Sequence, residues 1–171
     1  MKNLGDRNIC LKVIGNMRDL LFNCQAIKTN GCEKMVLTTG AFDVLHDGHF
    51  RYLNHAKSLG DVLVVGINDD DFVKKIKGPD RPYYNQQARA LSLSEFDCVD
   101  MVYIFSFEEQ VELIEIVEPK FFVMSESSHR KPTERKHQID TVIKLGGKIV
   151  MLPPFSDIHS TDIIKELRAK G

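Results

Sequence analysis

The chain has 171 residues, 43% hydrophobic and 27% charged, which suits one globular domain with its own core and argues against wholesale disorder. Its 23 lysines and arginines are met by 24 aspartates and glutamates, a formal net charge of -1, so a strongly basic nucleic-acid binder is disfavoured. No apolar run approaches the roughly 20 residues that span a bilayer, and the opening MKNLGDRNIC lacks the apolar stretch of a signal peptide. A cytoplasmic protein without membrane or nucleic-acid partners is expected. Cys10, Cys24, Cys32 and Cys98 form no C-x-x-C pair and read as idle thiols in a reducing compartment.

Residues 11–27 place Leu11, Ile14, Met17, Leu21 and Phe22 on one helical face, and Asn30-Gly31 marks a turn. Residues 1–30 are therefore expected to be a helical extension packed on a single domain spanning 1–171. Strand and helix signals then alternate. Strands are expected at Lys34–Thr39, Asp61–Asn68, Met101–Phe105, Phe121–Met124 and Lys148–Leu152. Helices are expected at Gly48–Leu59, Asp69–Ile76, Asn85–Phe96, Glu108–Val117, Thr133–Leu145 and Thr161–Ala169. Continuous apolar strands alternating with helices predict a doubly wound, Rossmann-like α/β fold. Its sheet would be parallel, with five strands and helices on both faces. Ligands of such sheets bind beyond the carboxyl ends of the strands, which directs attention to the loops after Thr39, Asn68, Phe105, Met124 and Leu152.

The first of these loops runs Thr39-Gly40-Ala41-Phe42-Asp43-Val44-Leu45-His46-Asp47-Gly48-His49. Gly40 permits a tight turn, and the helix that follows offers free N–H groups and a dipole to an anion. His46 and His49, three residues apart, share a helix face, and Gly48 lets a ligand approach the backbone. The combination suits charge that builds on a phosphoryl group during transfer. Zinc would need further ligands, and the sequence nearby supplies only His55, on another face.

Here the sequence resembles the HxGH nucleotidyltransferases, in their cytidylyltransferase-like branch, and within it the D-glycero-β-D-manno-heptose 1-phosphate adenylyltransferase group. The resemblance runs from about Ile14 to Lys170, through Leu59-Gly60-Asp61, Val65-Gly66-Ile67-Asn68, Lys77-Gly78-Pro79-Asp80-Arg81-Pro82, Gln87-Ala88-Arg89, Val99-Asp100, Gly146-Gly147-Lys148 and Ser160-Thr161-Asp162-Ile163-Ile164. It implies His46, His49 and Lys77 as catalytic residues. It implies nucleotide binding by Thr39, Gly40, Ala41, Phe42, Asp43, Gly48, Arg89, Ser160 and Thr161. It implies substrate binding by Asn68, Asp70, Met124 and Glu126. A nucleoside triphosphate and a sugar phosphate would be joined with release of pyrophosphate, Mg²⁺ would accompany the triphosphate, and no resident metal site is expected. The group is often dimeric, so a homodimer stays open.

Simpler roles compete at several positions. Asp69, Asp70 and Asp71 could cap a helix, and Lys74 and Lys75 read as solvated. Arg81 and Arg89 match family positions and could fork onto a phosphate, but Arg89 sits in a helix where an internal ion pair is an equal alternative. Ser160 or Thr161 could cap the last helix while its remaining N–H groups bind phosphate. His159 replaces the first hydroxyl of the group's Ser-Thr-Thr and could still donate to a phosphate.

The group's usual Lys-Gly-Gly-Asp-Tyr after the fourth strand is absent. Met124, Ser125, Glu126 and Ser127 stand there instead, a loss of positive charge that puts specificity in question. The stretch Ser128–His137 reads as a solvated loop, with a flap offering Arg130 or Lys131 as the alternative. The leading expectation is ATP plus heptose 1-phosphate giving an ADP-heptose. A glycerol-3-phosphate cytidylyltransferase using CTP, and a non-catalytic nucleotide-binding relic, are the rivals.

Overall fold

The computed structural model describes residues 12–126, 132–156 and 160–169. Six strands lie among them: β1 Val13–Ile14, β2 Met35–Gly40, β3 Val62–Asn68, β4 Met101–Phe105, β5 Phe121–Ser125 and β6 Lys148–Leu152. They form one parallel sheet in the order β1-β4-β3-β2-β5-β6. The α/β class holds, but the strand count is six rather than five. The extra strand lies inside the segment expected to be helical. Val13 and Ile14 pair with Val102 and Tyr103 at the sheet edge. The helix starts later because Asn16 caps it, its side chain accepting from Asp19 N at 2.9 Å.

The helices are α1 Met17–Thr29, α2 Asp47–Ser58, α3 Asp70–Lys77, α4 Gln86–Ser94, α5 Gln110–Val117, α6 Lys136–Lys144 and α7 Ser160–Ala169. A 3₁₀ turn, Pro132–Arg135, leads into α6, where one continuous helix from Thr133 was expected. Asp69 and Asn85 cap α3 and α4 through their side chains, to Phe72 N at 2.7 Å and Ala88 N at 2.9 Å. His46 occupies the cap position of α2 and makes no such side-chain bond.

Adjacent strand residues feed opposite faces of the sheet, as the pleat requires. Leu37, Val64, Phe122 and Met124 meet Leu20 and Cys24 of α1, Leu113, Ile114 and Val117 of α5 and Val142 of α6. Val36, Leu63, Val65 and Val123 meet Tyr52, Leu53 and Ala56 of α2 and Ala90 and Leu93 of α4. Each fully buried aliphatic side chain contributes about 1.5–3 kcal/mol, so the two layers hold the sheet from both sides. From β2 the order runs to β3 on one side and β5 on the other. Such a reversal opens a crevice at the carboxyl end of the sheet.

Candidate functional site

That crevice is a cleft of about 440 Å³, lined by residues from β2 and its loop, α2, α3, the 3₁₀ turn, the loop after β6 and the start of α7. The size is that of a small-molecule site. Thr38, at the end of β2, is fully buried and shares a hydrogen with Tyr52 Oη at 2.7 Å; Tyr52 also donates to Val123 O at 3.0 Å. These bonds fix α2 over the ends of β2 and β5.

The loop that follows is shaped by contacts at its glycines. Phe42 adopts φ 44, in the left-handed region, and a Cβ on Gly40 would lie 3.0 Å from its ring. Phe42 in turn meets the His49 ring at 5.5 Å. A Cβ on Gly48 would lie 2.8 Å from Ser156 Cβ and 3.0 Å from His46 Cε1. Glycine is therefore required at both places for packing into the cleft.

The rings of His46 and His49 stand 4.0 Å apart, both in the cleft wall. Burial, and next the nearby His46 and Lys77, push the His49 pKa down to about 3. His49 is thus neutral at working pH, and its buried Nδ1 has no hydrogen-bond partner among the described residues. Lys77, at the end of α3, also lines the cleft. Burial lowers its pKa to about 8, with Arg81 the next largest cause, Asp43 opposing and Arg89 adding a little. A lysine in that range is a poorly solvated cation that gains from an arriving anion.

Of the residues expected to bind ligand, Thr39, Gly40, Ala41, Phe42, Gly48, Asn68, Ser160 and Thr161 join His46, His49 and Lys77 around the cleft. Asp43, Asp70, Arg89, Met124 and Glu126 do not line it. Asp43 is buried; one of its oxygens accepts from Arg81 Nε at 2.7 Å, the other from Tyr83 N at 2.7 Å and Tyr84 N at 3.1 Å. Arg89 is 1% exposed and donates to Tyr84 O, Ala41 O, Asn68 O and Asp70 Oδ1 at 2.6–3.0 Å. Its fork fastens the loops after β2 and β3, the internal ion pair being the arrangement found. Met124 is 1% exposed and packs in the core on the far face of the sheet, while Glu126 is exposed on the turn after β5. The charge change read from this loop therefore does not reach the cleft through these two side chains. His159, Ser127, Arg130 and Lys131 lie outside the described residues.

Sequence reasoning missed Arg135, a buried arginine in the cleft wall, within a stretch read as solvated. Its signal was the spacing Arg135, Gln138, Val142, one buried helical stripe. Ser125, one of the replacements read after the fourth strand, lines the cleft; Tyr52, Ile76, Pro153, Pro154, Phe155, Ser156 and Asp162 also line it without having been singled out as site residues. Among the described residues, no group of three His, Cys, Asp or Glu side chains could hold a metal, and no helix is long and apolar enough to cross a membrane.

A family profile described as cytidylyltransferase-like matches residues 37–166. The bifunctional protein HldE of Desulfatibacillum aliphaticivorans is 40% identical over 137 residues, which is 80% of this chain and 27% of that protein. HldE of Helicobacter hepaticus is 42% identical over 133 residues, 78% of this chain and 26% of that protein. The chain thus spans only about a quarter of the length of these curated relatives. Among solved structures, the lipopolysaccharide core biosynthesis protein of Thermoplasma volcanium superposes with a TM-score of 0.61 at 26% identity, over 75% of this chain and all of that one. Pantoate–β-alanine ligase of Francisella tularensis, at 17% identity and a TM-score of 0.55 over 91% of this chain and 76% of that one, shares the fold. The matched stretch carries the cleft from β2 to the first turns of α7, and the chain belongs to the cytidylyltransferase-like family of nucleotidyltransferases.

Proposed function

We propose that this chain transfers the adenylyl group of ATP to heptose 1-phosphate, giving an ADP-heptose and pyrophosphate. One observation carries the transfer chemistry: two adjoining histidines, a desolvated lysine and the starts of α2 and α7 converge in one cleft at the end of β2. The choice of ATP and heptose is supported by the resemblance of the motifs and by the HldE relatives. An acceptor phosphate oxygen attacks the α-phosphorus in line, forming a new P–O bond while the bond to the β-phosphate oxygen breaks and its electron pair leaves with pyrophosphate. No proton need be removed from an ionised phosphate, so positioning and electrostatic stabilisation supply the rate. His46 and the neutral His49 donate N–H bonds to the α-phosphoryl region and the bridging oxygen. Lys77 holds the charge of the phosphates, and the free N–H groups opening α2 and α7 receive oxygens of the triphosphate.

Asp162 and the hydroxyl of Ser156 give the cleft hard oxygen donors. They fit a Mg²⁺ ion brought mainly by the triphosphate, as this ion keeps few protein ligands. When bound, Mg²⁺ would offset charge on the leaving pyrophosphate.

Pyrophosphate release with Mg²⁺ tests the reading, with ATP, CTP, GTP and UTP each offered against heptose 1-phosphate, other sugar phosphates and glycerol 3-phosphate. Release that requires ATP, heptose 1-phosphate and His46, lost in His46→Ala, is expected. Turnover only with CTP and glycerol 3-phosphate, or none at all from folded protein, would overturn it.

A further inference from the structure

Two hydroxyls open α7, and their hydrogen bonds run in opposite senses. Ser160 Oγ donates to Val44 O at 2.8 Å. A carbonyl only accepts, so the Ser160 proton is committed to the protein and its oxygen can offer a ligand nothing but lone pairs. Thr161 Oγ1 instead accepts from Arg81 Nη1 at 3.3 Å. A guanidinium only donates, so a lone pair of Thr161 is held and its proton is directed away from Arg81. Both residues line the cleft. A phosphate oxygen requires donors. Thr161 can bond it through its side chain, and Ser160 in this arrangement cannot.

Arg81 is placed to hold this setting. It comes from the loop between α3 and α4, its side chain is 9% exposed, and its Nε is fixed on Asp43 Oδ2 at 2.7 Å. The same carboxylate grips the backbone of Tyr83 and Tyr84. The loop after β2, the loop after α3 and the start of α7 are thereby joined through one guanidinium. Its remaining nitrogen, Nη2, is buried and lacks a hydrogen-bond partner among the described residues. Arg81 itself does not line the cleft, so its effect on a ligand passes through Thr161 and through its charge beside Lys77.

We propose that Arg81 is a positioning residue for the nucleoside triphosphate: it holds Thr161 with its hydroxyl proton toward the outer phosphates and, as a cation donating to the same oxygen, strengthens that donor. Ser160 serves as the anchor that ties α7 to the loop after β2. This inference rests on the reading above that the cleft takes a nucleoside triphosphate.

Calorimetric binding of ATP with Mg²⁺, without acceptor, tests it in Thr161→Val, Thr161→Ser, Arg81→Lys and the double variant Arg81→Lys/Thr161→Val. Thr161→Val should raise Kd about tenfold, the loss expected for one hydrogen bond to a charged group. Thr161→Ser should stay within about twofold. Arg81→Lys keeps a charge for Asp43 but lacks the fork, and should weaken binding severalfold in the wild-type background and have no effect when Thr161 is already valine. Should Arg81→Lys fail to fold, the contrast between Thr161→Val and Thr161→Ser decides alone. Multiplicative losses in the double variant, or an unchanged Kd in Thr161→Val, would overturn the proposal. ATP binding without pyrophosphate release would refute the proposed reaction and leave this inference standing. Independent losses in a protein that turns over would do the reverse, and a wild type that binds no ATP would remove both.

Discussion

Gly48→Ala separates packing from catalysis. The added methyl would stand 2.8 Å from Ser156 Cβ, 3.0 Å from His46 Cε1 and 3.1 Å from His46 Nδ1, where ordinary contact begins at 3.4 Å. The imidazole must therefore move by several tenths of an ångström. It cannot retreat freely, because the His49 ring already lies 4.0 Å away. Alanine favours the helix over glycine by about 1 kcal/mol, while overpacking costs about 1–3 kcal/mol. The net loss of stability should be at most about 2 kcal/mol, and a chain of this size then loses no more than about 8 °C in Tm. Misplacement of a charge-stabilising group near the reacting atoms costs far more, up to about 100-fold in rate. Thermal unfolding and steady-state pyrophosphate release on the same sample give both numbers. A folded variant with kcat within about threefold of wild type would refute the idea that Gly48 keeps the space His46 needs.

Four further outcomes are expected. With the Lys77 pKa near 8, kcat/KM for the triphosphate should fall as pH rises through about 8, and Lys77→Arg should abolish that alkaline limb; a flat profile in wild type would count against Lys77 as the phosphate cation. Stability should move the other way: the unfolded lysine, near 10.5, binds its proton across a window where the folded one has lost it, so stability rises between about pH 8 and 10.5. Arg89→Met leaves three backbone carbonyls and Asp70 without their donor, and denaturant melts should show a loss of about 3–5 kcal/mol; full stability with altered nucleotide affinity would return Arg89 to the binding site. Met124→Lys puts an ammonium into the core and should lower stability by several kcal/mol. An unchanged Tm with a new acceptor preference would instead place that side chain in the cleft.

The alternation of strands and helices was legible because each inner strand is a continuous apolar run bounded by turn residues. β1 was not. It is two residues long, and Ile14 and Met17 happen to satisfy a helical spacing, so periodicity could not separate an edge strand from the helix that Asn16 starts. His46, Gly48 and His49 were readable because local spacing alone puts them together, and Lys77 because the motif around it resembles the family's. Arg89 and Met124 were not, for different reasons. The partners of Arg89 are up to 48 residues away in the chain, so nothing local tells a phosphate ligand from a clamp on carbonyls. β5 is buried on both faces, so its sequence carries no alternation to say which way Met124 points.

The open start of α2 has a consequence for the protein's stability. α1, α3 and α4 each close their first turn with an Asn or Asp from their own sequence, whereas α2 begins at His46 without one. An incoming phosphate would complete that turn, making the ligand the cap that the chain omits. Catalytic competence and helix integrity are then read by one equilibrium: a triphosphate at 100 times its Kd adds about 2.7 kcal/mol to the folded state. The protein would be sturdier wherever its substrate is plentiful, and the first turn of α2 would be where the slowing of amide exchange on binding is greatest.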